Sequence, residues 1–292
     1  MTPFFYSNRI HYLATRVFEA MGPVVLSAFS ILITFCLLQP VALWLDPTFS
    51  LLASRSTGKI AFTILVLLHI MLLLTTTPRR FVQGFFQTNV HFLTTLSWLK
   101  PFFGCFALFF VLHALLLGGL IPLGIATLHP EACALIPSKA FSLLMGFVAT
   151  FFLAWTEEMI FRGTLFPFLR LRLSPLVSMF ATSVIFSLAH DLTNPLTLVT
   201  TQWQLGLGLF LLGFFLNLLL YLSKTLYIGM GAHAGLVFVK VVLRRIPLIS
   251  YATALPWWFD IDLRMSLATH LLFTLVIAIL MIIYRKRIFS SS

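Results

Sequence analysis

Apolar runs of membrane-crossing length recur along this chain, at 24–45, 60–77, 101–125, 140–161, 175–190, 205–222, 226–243 and 266–284. Runs of about 17–25 apolar residues match the hydrocarbon thickness of a bilayer, where every backbone polar group must be bonded within the protein. The expected fold is therefore an all-α polytopic membrane protein with eight transmembrane helices. Composition agrees, since 60% of the 292 residues are hydrophobic and 9% are charged, against roughly 25% charged in soluble domains. No cleavable leader is expected, because the first apolar run starts late.

The +11 formal charge reads first as topology. With the N-terminus inside and eight alternating spans, eleven basic residues fall on the inner side and seven on the outer, Arg162 set aside. Basic residues favour the cytoplasmic side, so both termini of this integral, multi-pass protein are expected there. A nucleic-acid partner would need a basic face on a soluble module, which the chain lacks. Cys36, Cys105 and Cys133 are single and widely spaced, which argues for small apolar fillers rather than a disulfide framework or metal site.

The chain reads as one membrane domain with neither a flexible linker nor an internal repeat. Residues 4–20 and 78–100 interleave aromatics with basic residues, the pattern of helices lying in the membrane interface. The loop 246–265, with Pro256-Trp-Trp-Phe-Asp260, has aromatic-belt composition. Arg285-Lys-Arg287 flanks the last span.

Against this background the stretch AWTEEMIFRG, residues 154–163, stands out. An ionisable side chain in hydrocarbon costs about 2.5–3.5 kcal/mol, so it normally faces a bundle interior or a water-filled cavity. Glu158 and Arg162 are four apart, stacked on one helix face with the acid first, the better orientation for an ion pair. Glu157 is turned about 100° away and has no partner within its own segment. The division is that Glu158 and Arg162 fix the helix while Glu157 points elsewhere; the alternative is a plain charge cluster at the end of a span. Two further features bear on the choice. VIFSLAH sets Phe186 and His190 four apart, and MGAHAGLVF sets His233 among Gly229, Gly231, Ala232, Ala234 and Gly235, small residues that let helices approach closely. His69, His113 and His270 read as hydrogen-bonded structural residues. One unpaired carboxylate with two histidines on separate spans can perform general-base hydrolysis.

The ordered set Glu157-Glu158-Met-Ile-Phe-Arg162, Phe186-Ser-Leu-Ala-His190 and His233 resembles the type II CAAX prenyl protease family of intramembrane peptidases, also called the ABI or CPBP family. The resemblance divides the chain into an N-terminal membrane region, 1–139, with interfacial helices and three spans; a protease-like core, 140–245; and an outer loop with the last span, 246–292. It implies a helical bundle with a polar cavity opening into the membrane. It implies Glu157 as the base that activates water, His190 positioning that water, His233 stabilising the oxyanion, and Glu158 and Arg162 with Phe186 supporting the site. It implies a membrane-embedded or lipidated peptide as substrate.

One position departs from the pattern. The family's last motif carries Asn or Asp four residues after the histidine, and here that residue is Val237. Losing an oxyanion donor costs about 10²–10³ in rate. Asn217 in GFFLNLLLY is a possible replacement, or else an interhelical hydrogen-bonding residue; Asn194 before Pro195 reads as a turn residue. No cofactor is expected. Zinc is the rival, since a carboxylate and two histidines match a catalytic zinc set, but the chain has no HExxH. Two further readings are a catalytically silent scaffold or immunity-type protein on the same fold, and a transporter. Substrate identity and oligomeric state are not legible. One tension remains: the span boundaries put Glu157 near the inner end of the fourth span and His190 near the outer end of the fifth, awkward for a shared site.

Overall fold

In the computed structural model, residues 96–289 are described except 171–172 and 192–193, together with Pro40 and Leu43. The spans expected at 24–45 and 60–77, the interfacial helix at 4–20 and nearly all of that at 78–100 lie outside the described residues, as do Cys36 and His69. Apart from Pro40 and Leu43, the described residues belong to the unit Asn89–Ser292.

Helices dominate this unit. They are α1 (Leu99–Gly118), α2 (Ile136–Glu158), α3 (Phe166–Arg170), α4 (Pro175–Leu188), α5 (Trp203–Ser223), α6 (Leu226–Arg245), α7 (Leu267–Ile283) and α8 (Arg285–Phe289). Four stretches among the described residues are long and apolar enough to cross a membrane: Leu99–Gly118, Pro130–Gly163, Trp203–Ser223 and Leu226–Arg245. The expected spans at 175–190 and 266–284 are helices of 14 and 17 residues, short beside the ~20 a straight crossing needs. The all-α expectation also missed a small element. Strands β1 (Ala126–Leu128) and β2 (Ile249–Tyr251) pair antiparallel, with Thr127 opposite Ser250, and tie the segment after α1 to the segment after α6.

Small residues set the helix order. A Cβ on Gly231 would come within 2.3 Å of the Phe102 carbonyl oxygen, and one on Gly235 within 2.5 Å of that of Phe106. The backbones of α1 and α6 therefore touch, in the close approach that glycines four apart permit. Because 102 meets 231 and 106 meets 235, the two helices run in the same direction. Helix α2 packs antiparallel to α6, with Gly146 against Val241 and the Arg245 Nε donating to Ser142 Oγ at 2.9 Å. Helix α4 packs antiparallel to α5, where Ser187 Oγ donates to the Gly206 carbonyl at 2.8 Å. Phe215 of α5 and Phe273 of α7 meet edge-on at 5.5 Å between centroids.

The stretch between α2 and α3 departs from α-helix. Met159–Leu165 forms a π-helical segment, the wide turn that interrupts helices at functional sites and bends them. It carries Arg162 and joins α2 to α3, so the helical rod runs on to Arg170 rather than ending near 161. That removes the tension in the sequence reading. Thirteen residues separate Glu157 from Arg170, the end of α3, and fifteen separate Pro175, the start of α4, from His190, so the two groups lie at similar contour lengths from those facing ends.

Candidate active site

Glu158 and Arg162 form the buried base of the site. The Arg162 Nη1 donates to Glu158 Oε1 at 3.0 Å, and both side chains are shut off from the exterior. Helical spacing brings the two together, and tertiary structure completes the arginine's surroundings. Its Nη2 donates to the Gly213 carbonyl of α5 at 3.1 Å. Its guanidinium lies over the Phe186 ring at 4.3 Å and near that of Phe161 at 5.9 Å. Removing one partner of such a buried pair costs about 3–5 kcal/mol, because it strands the other charge.

The two imidazoles reach the site from different helices, each oriented by its Nδ1. His190 lies in the 3₁₀ turn Ala189–Asp191 that follows α4. Its Nδ1 is 2.8 Å from the Phe186 carbonyl oxygen. A carbonyl only accepts, so this nitrogen carries the proton and Nε2 is the bare nitrogen of the neutral ring. His233, on α6, places its Nδ1 3.1 Å from Glu158 Oε1, the oxygen that also receives Arg162. The ion-paired carboxylate fixes this ring in the same sense.

Both Nε2 atoms then face Glu157. Its Oε2 is 3.7 Å from His233 Nε2 and 3.9 Å from His190 Nε2. These separations exceed a direct hydrogen bond, and Glu157 Oε2 is buried with no hydrogen-bond partner. The Glu157 side chain is 20% exposed and that of His190 25%, whereas His233 is 4% exposed. The cluster is therefore sealed on the α6 side and open beside Glu157 and His190. One carboxylate oxygen and two bare nitrogens bracket a gap that a water molecule would bridge.

Phe186 ties these groups together. Its ring is fully buried and meets His190 edge-on at 4.6 Å, Phe161 at 5.0 Å and His233 at 6.4 Å. Asn217 is spent elsewhere. Its Nδ2 donates to the Met179 carbonyl at 3.2 Å and to Ser183 Oγ at 3.1 Å, so both amide hydrogens pin α5 to α4. Val237 is one turn beyond His233 on α6 and half-buried. Asn194 begins a 3₁₀ turn, with its backbone N–H on Asp191 Oδ1. His113 bonds the Leu236 carbonyl and His270 that of Arg264, both structural contacts.

Two supports were not singled out from the sequence, and a third, Gly229, was marked there only for close helix packing. The Phe186 carbonyl orients His190, the Gly213 carbonyl holds Arg162, and Gly229 leaves room for Glu158, whose Oε2 would sit 3.1 Å from an added Cβ. Glycine at a helix contact was the available signal for the last two. As for a metal, no group of three or more His, Cys, Asp or Glu side chains among the described residues has metal-holding geometry.

Fold and site together define a mostly helical integral membrane protein with a buried carboxylate–imidazole centre. Residues 139–239, about a third of the chain, match the model of the family described as Type II CAAX prenyl endopeptidase Rce1-like. The matched segment contains Glu157, Glu158, Arg162, Phe186, His190 and His233. No curated protein and no solved structure matches the chain.

Proposed function

We propose that this protein is an intramembrane endopeptidase that hydrolyses a peptide bond of a membrane-embedded or lipidated substrate with water activated by Glu157. One observation carries the reading: Glu157 Oε2 is unpartnered and faces two Nε2 atoms at 3.7 and 3.9 Å. Glu158 Oε2 is also buried without a hydrogen-bond partner, but Glu158 is engaged through Oε1 by Arg162 and His233, whereas Glu157 Oε2 faces two ring nitrogens and is available for the proton a general base takes.

In this mechanism a water between Glu157 and His190 gives one hydrogen to Glu157 Oε2, and its other hydrogen is held by His190 Nε2. The water oxygen attacks the scissile carbonyl carbon, and the carbonyl oxygen becomes an oxyanion. His233 Nε2 takes up one proton from solvent and then donates to it, with Nδ1–H kept on Glu158. The C–N bond then breaks and Glu157 returns its proton to the leaving amine, giving a carboxylic acid and an amine. No cofactor takes part, and both termini lie on the cytoplasmic side.

The test compares the peptide termini in membranes that hold wild type or Glu157→Gln at matched levels. Peptide ends that appear only with wild type support the proposal and reveal the cleavage preference. A chelator distinguishes the zinc reading: activity that survives it favours the carboxylate mechanism. Val237 favours a second reading, a catalytically silent scaffold, because valine supplies no oxyanion donor. Identical peptide ends, with a phenotype shared by both forms, would establish that reading instead.

A further inference from the structure

Strands β1 and β2 follow α1 and α6, two membrane-crossing helices that run side by side, so the ribbon sits where these helices end. Side chains along a strand alternate between its faces, and here the alternation sorts them by polarity. Ala126, Ile249 and Tyr251 pack in one apolar cluster with Leu117, Val239 and Phe259, whereas Thr127 and Ser250 are exposed. His129 continues the ribbon past β1, its N–H donating to the Leu248 carbonyl at 2.8 Å. Residues two apart on a strand share a face, and diagonal neighbours across a ribbon come within reach of longer side chains. His129 is thereby set diagonally to Ser250 on the outer face.

Three side chains join there in a line. His129 Nε2 is 2.8 Å from Ser250 Oγ, and its Nδ1 is 3.1 Å from Glu131 Oε1. Pro130 opens the 3₁₀ turn Pro130–Leu135, which sets Glu131 in its first turn and within reach of the imidazole before it. An ionised carboxylate only accepts, so Nδ1 carries the proton and Nε2 of the neutral ring is bare. Ser250 therefore donates its hydroxyl hydrogen to Nε2. This is the tautomer in which an imidazole, oriented by a carboxylate, takes the proton of a nucleophilic hydroxyl. Ala252 bonds the Ile125 carbonyl and His129 that of Leu248, so the intervening Tyr251 belongs to a non-bonded pair with Ala126. Its N–H points away from β1, beside the serine, where an oxyanion would draw on it.

We infer that Ser250, His129 and Glu131 form a second, hydrolytic site that acts on short-chain carboxylic esters. His129 is 38% exposed and Glu131 72%, so the groups meet a small ester at the protein surface. Ser250 Oγ attacks the ester carbonyl carbon while its proton passes to His129 Nε2. The bond from that carbon to the alcohol oxygen breaks, and the alcohol leaves with the proton. Water then attacks the acyl-serine, giving one proton to His129, which returns it to Ser250 Oγ as the carboxylic acid departs. The site shares no residue with the Glu157 centre.

The experiment treats the full chain in detergent with a fluorophosphonate, maps the adduct by mass spectrometry and measures turnover of p-nitrophenyl butyrate. Ser250 should be labelled, and Ser138, an exposed serine whose hydroxyl donates to the Leu135 carbonyl, should not. His129→Ala should slow labelling and turnover by about 10²-fold, the low end for a lost general base. Ser250→Ala should remove the turnover with the thermal midpoint unchanged. Glu131→Ala, which frees the ring to change tautomer, should cause a smaller loss and keeps the test decisive should His129→Ala fold poorly. Labelling of Ser250 no faster than that of Ser138, or labelling unchanged in both His129→Ala and Glu131→Ala, would overturn the site. An adduct on Ser250 without ester turnover would overturn the hydrolysis.

Discussion

Two clusters in this protein bring carboxylates against basic side chains, and they treat the carboxylate oxygens in opposite ways. In the loop before α7, Asp262 Oδ1 accepts from Lys240 at 2.7 Å and from Arg264 Nε at 3.0 Å, while Oδ2 accepts from Arg264 Nη2 at 2.6 Å. Both oxygens are used, and the cluster fastens the loop to α6. At the other cluster Glu158 takes Arg162 and His233 on Oε1 alone, with Oε2 buried and unbonded, while its neighbour Glu157 holds Oε2 between two imidazole nitrogens. Full satisfaction makes a clasp, whereas a buried acceptor facing two ring nitrogens across a gap is a position to be filled. The contrast separates structural charges from chemical ones without reference to their sequence context.

The largest effect expected is on activity. Glu157→Gln keeps the side-chain shape and should lower peptidase turnover by about 10²–10⁴-fold, the range for a lost general base, with the thermal midpoint unchanged. Asp262→Asn should leave turnover intact in the same assay; a comparable loss there would erase the distinction. Next comes stability. Arg162→Met strands Glu158 in the interior and should cost about 3–5 kcal/mol, read as lost abundance in membranes and early thermal unfolding. Gly231→Ala tests the packing beneath both clusters. Its Cβ would meet the Phe102 carbonyl at 2.3 Å, and overpacking of this kind costs about 1–3 kcal/mol, measurable as a lower unfolding midpoint.

The smallest effect is the clasp itself. Asp262→Asn should cost about 0.2–1 kcal/mol, because its partners are partly exposed. Burial raises the Asp262 carboxyl, but hydrogen bonds from Arg264 and Lys240 outweigh it and hold the group below the usual carboxylate range. A depressed folded-state value means that the carboxylate stabilises the fold above its unfolded pKa of about 3.9. That contribution fades as pH falls from there toward the folded value. Unfolding midpoints of wild type and Asp262→Asn should therefore differ at neutral pH and converge as the buffer is acidified below about pH 4.

Much of the site was legible because its central pair is local. Glu158 and Arg162 lie on one helix, and spacing alone predicts their contact and leaves Glu157 over. Sequence could also nominate His190 and His233, since imidazoles in apolar segments are few. It could not judge their distance from Glu157, because that depends on where each helix begins and how α2 continues. The π segment Met159–Leu165 carries the rod to Arg170 and so brings Glu157 level with His190, and no residue pattern in MIFRGTL announced it. Asn217 shows the same limit. From sequence it could face the site or a neighbouring helix, and only the positions of Met179 and Ser183 send its amide to the helix.

What the sequence determined by itself was the solvent and the inventory. Long apolar runs require helices in a membrane, and the cost of charge in hydrocarbon marks Glu157, Glu158 and Arg162 as retained for a purpose. Tertiary structure decided which nitrogen of each imidazole is bare and which carboxylate oxygen faces both rings. Those outcomes depend on groups distant in the chain, such as the Gly213 carbonyl and the backbone approach at Gly231. Hydrogen bonding resolves differences of tenths of an ångström, and only the packed bundle sets positions that finely.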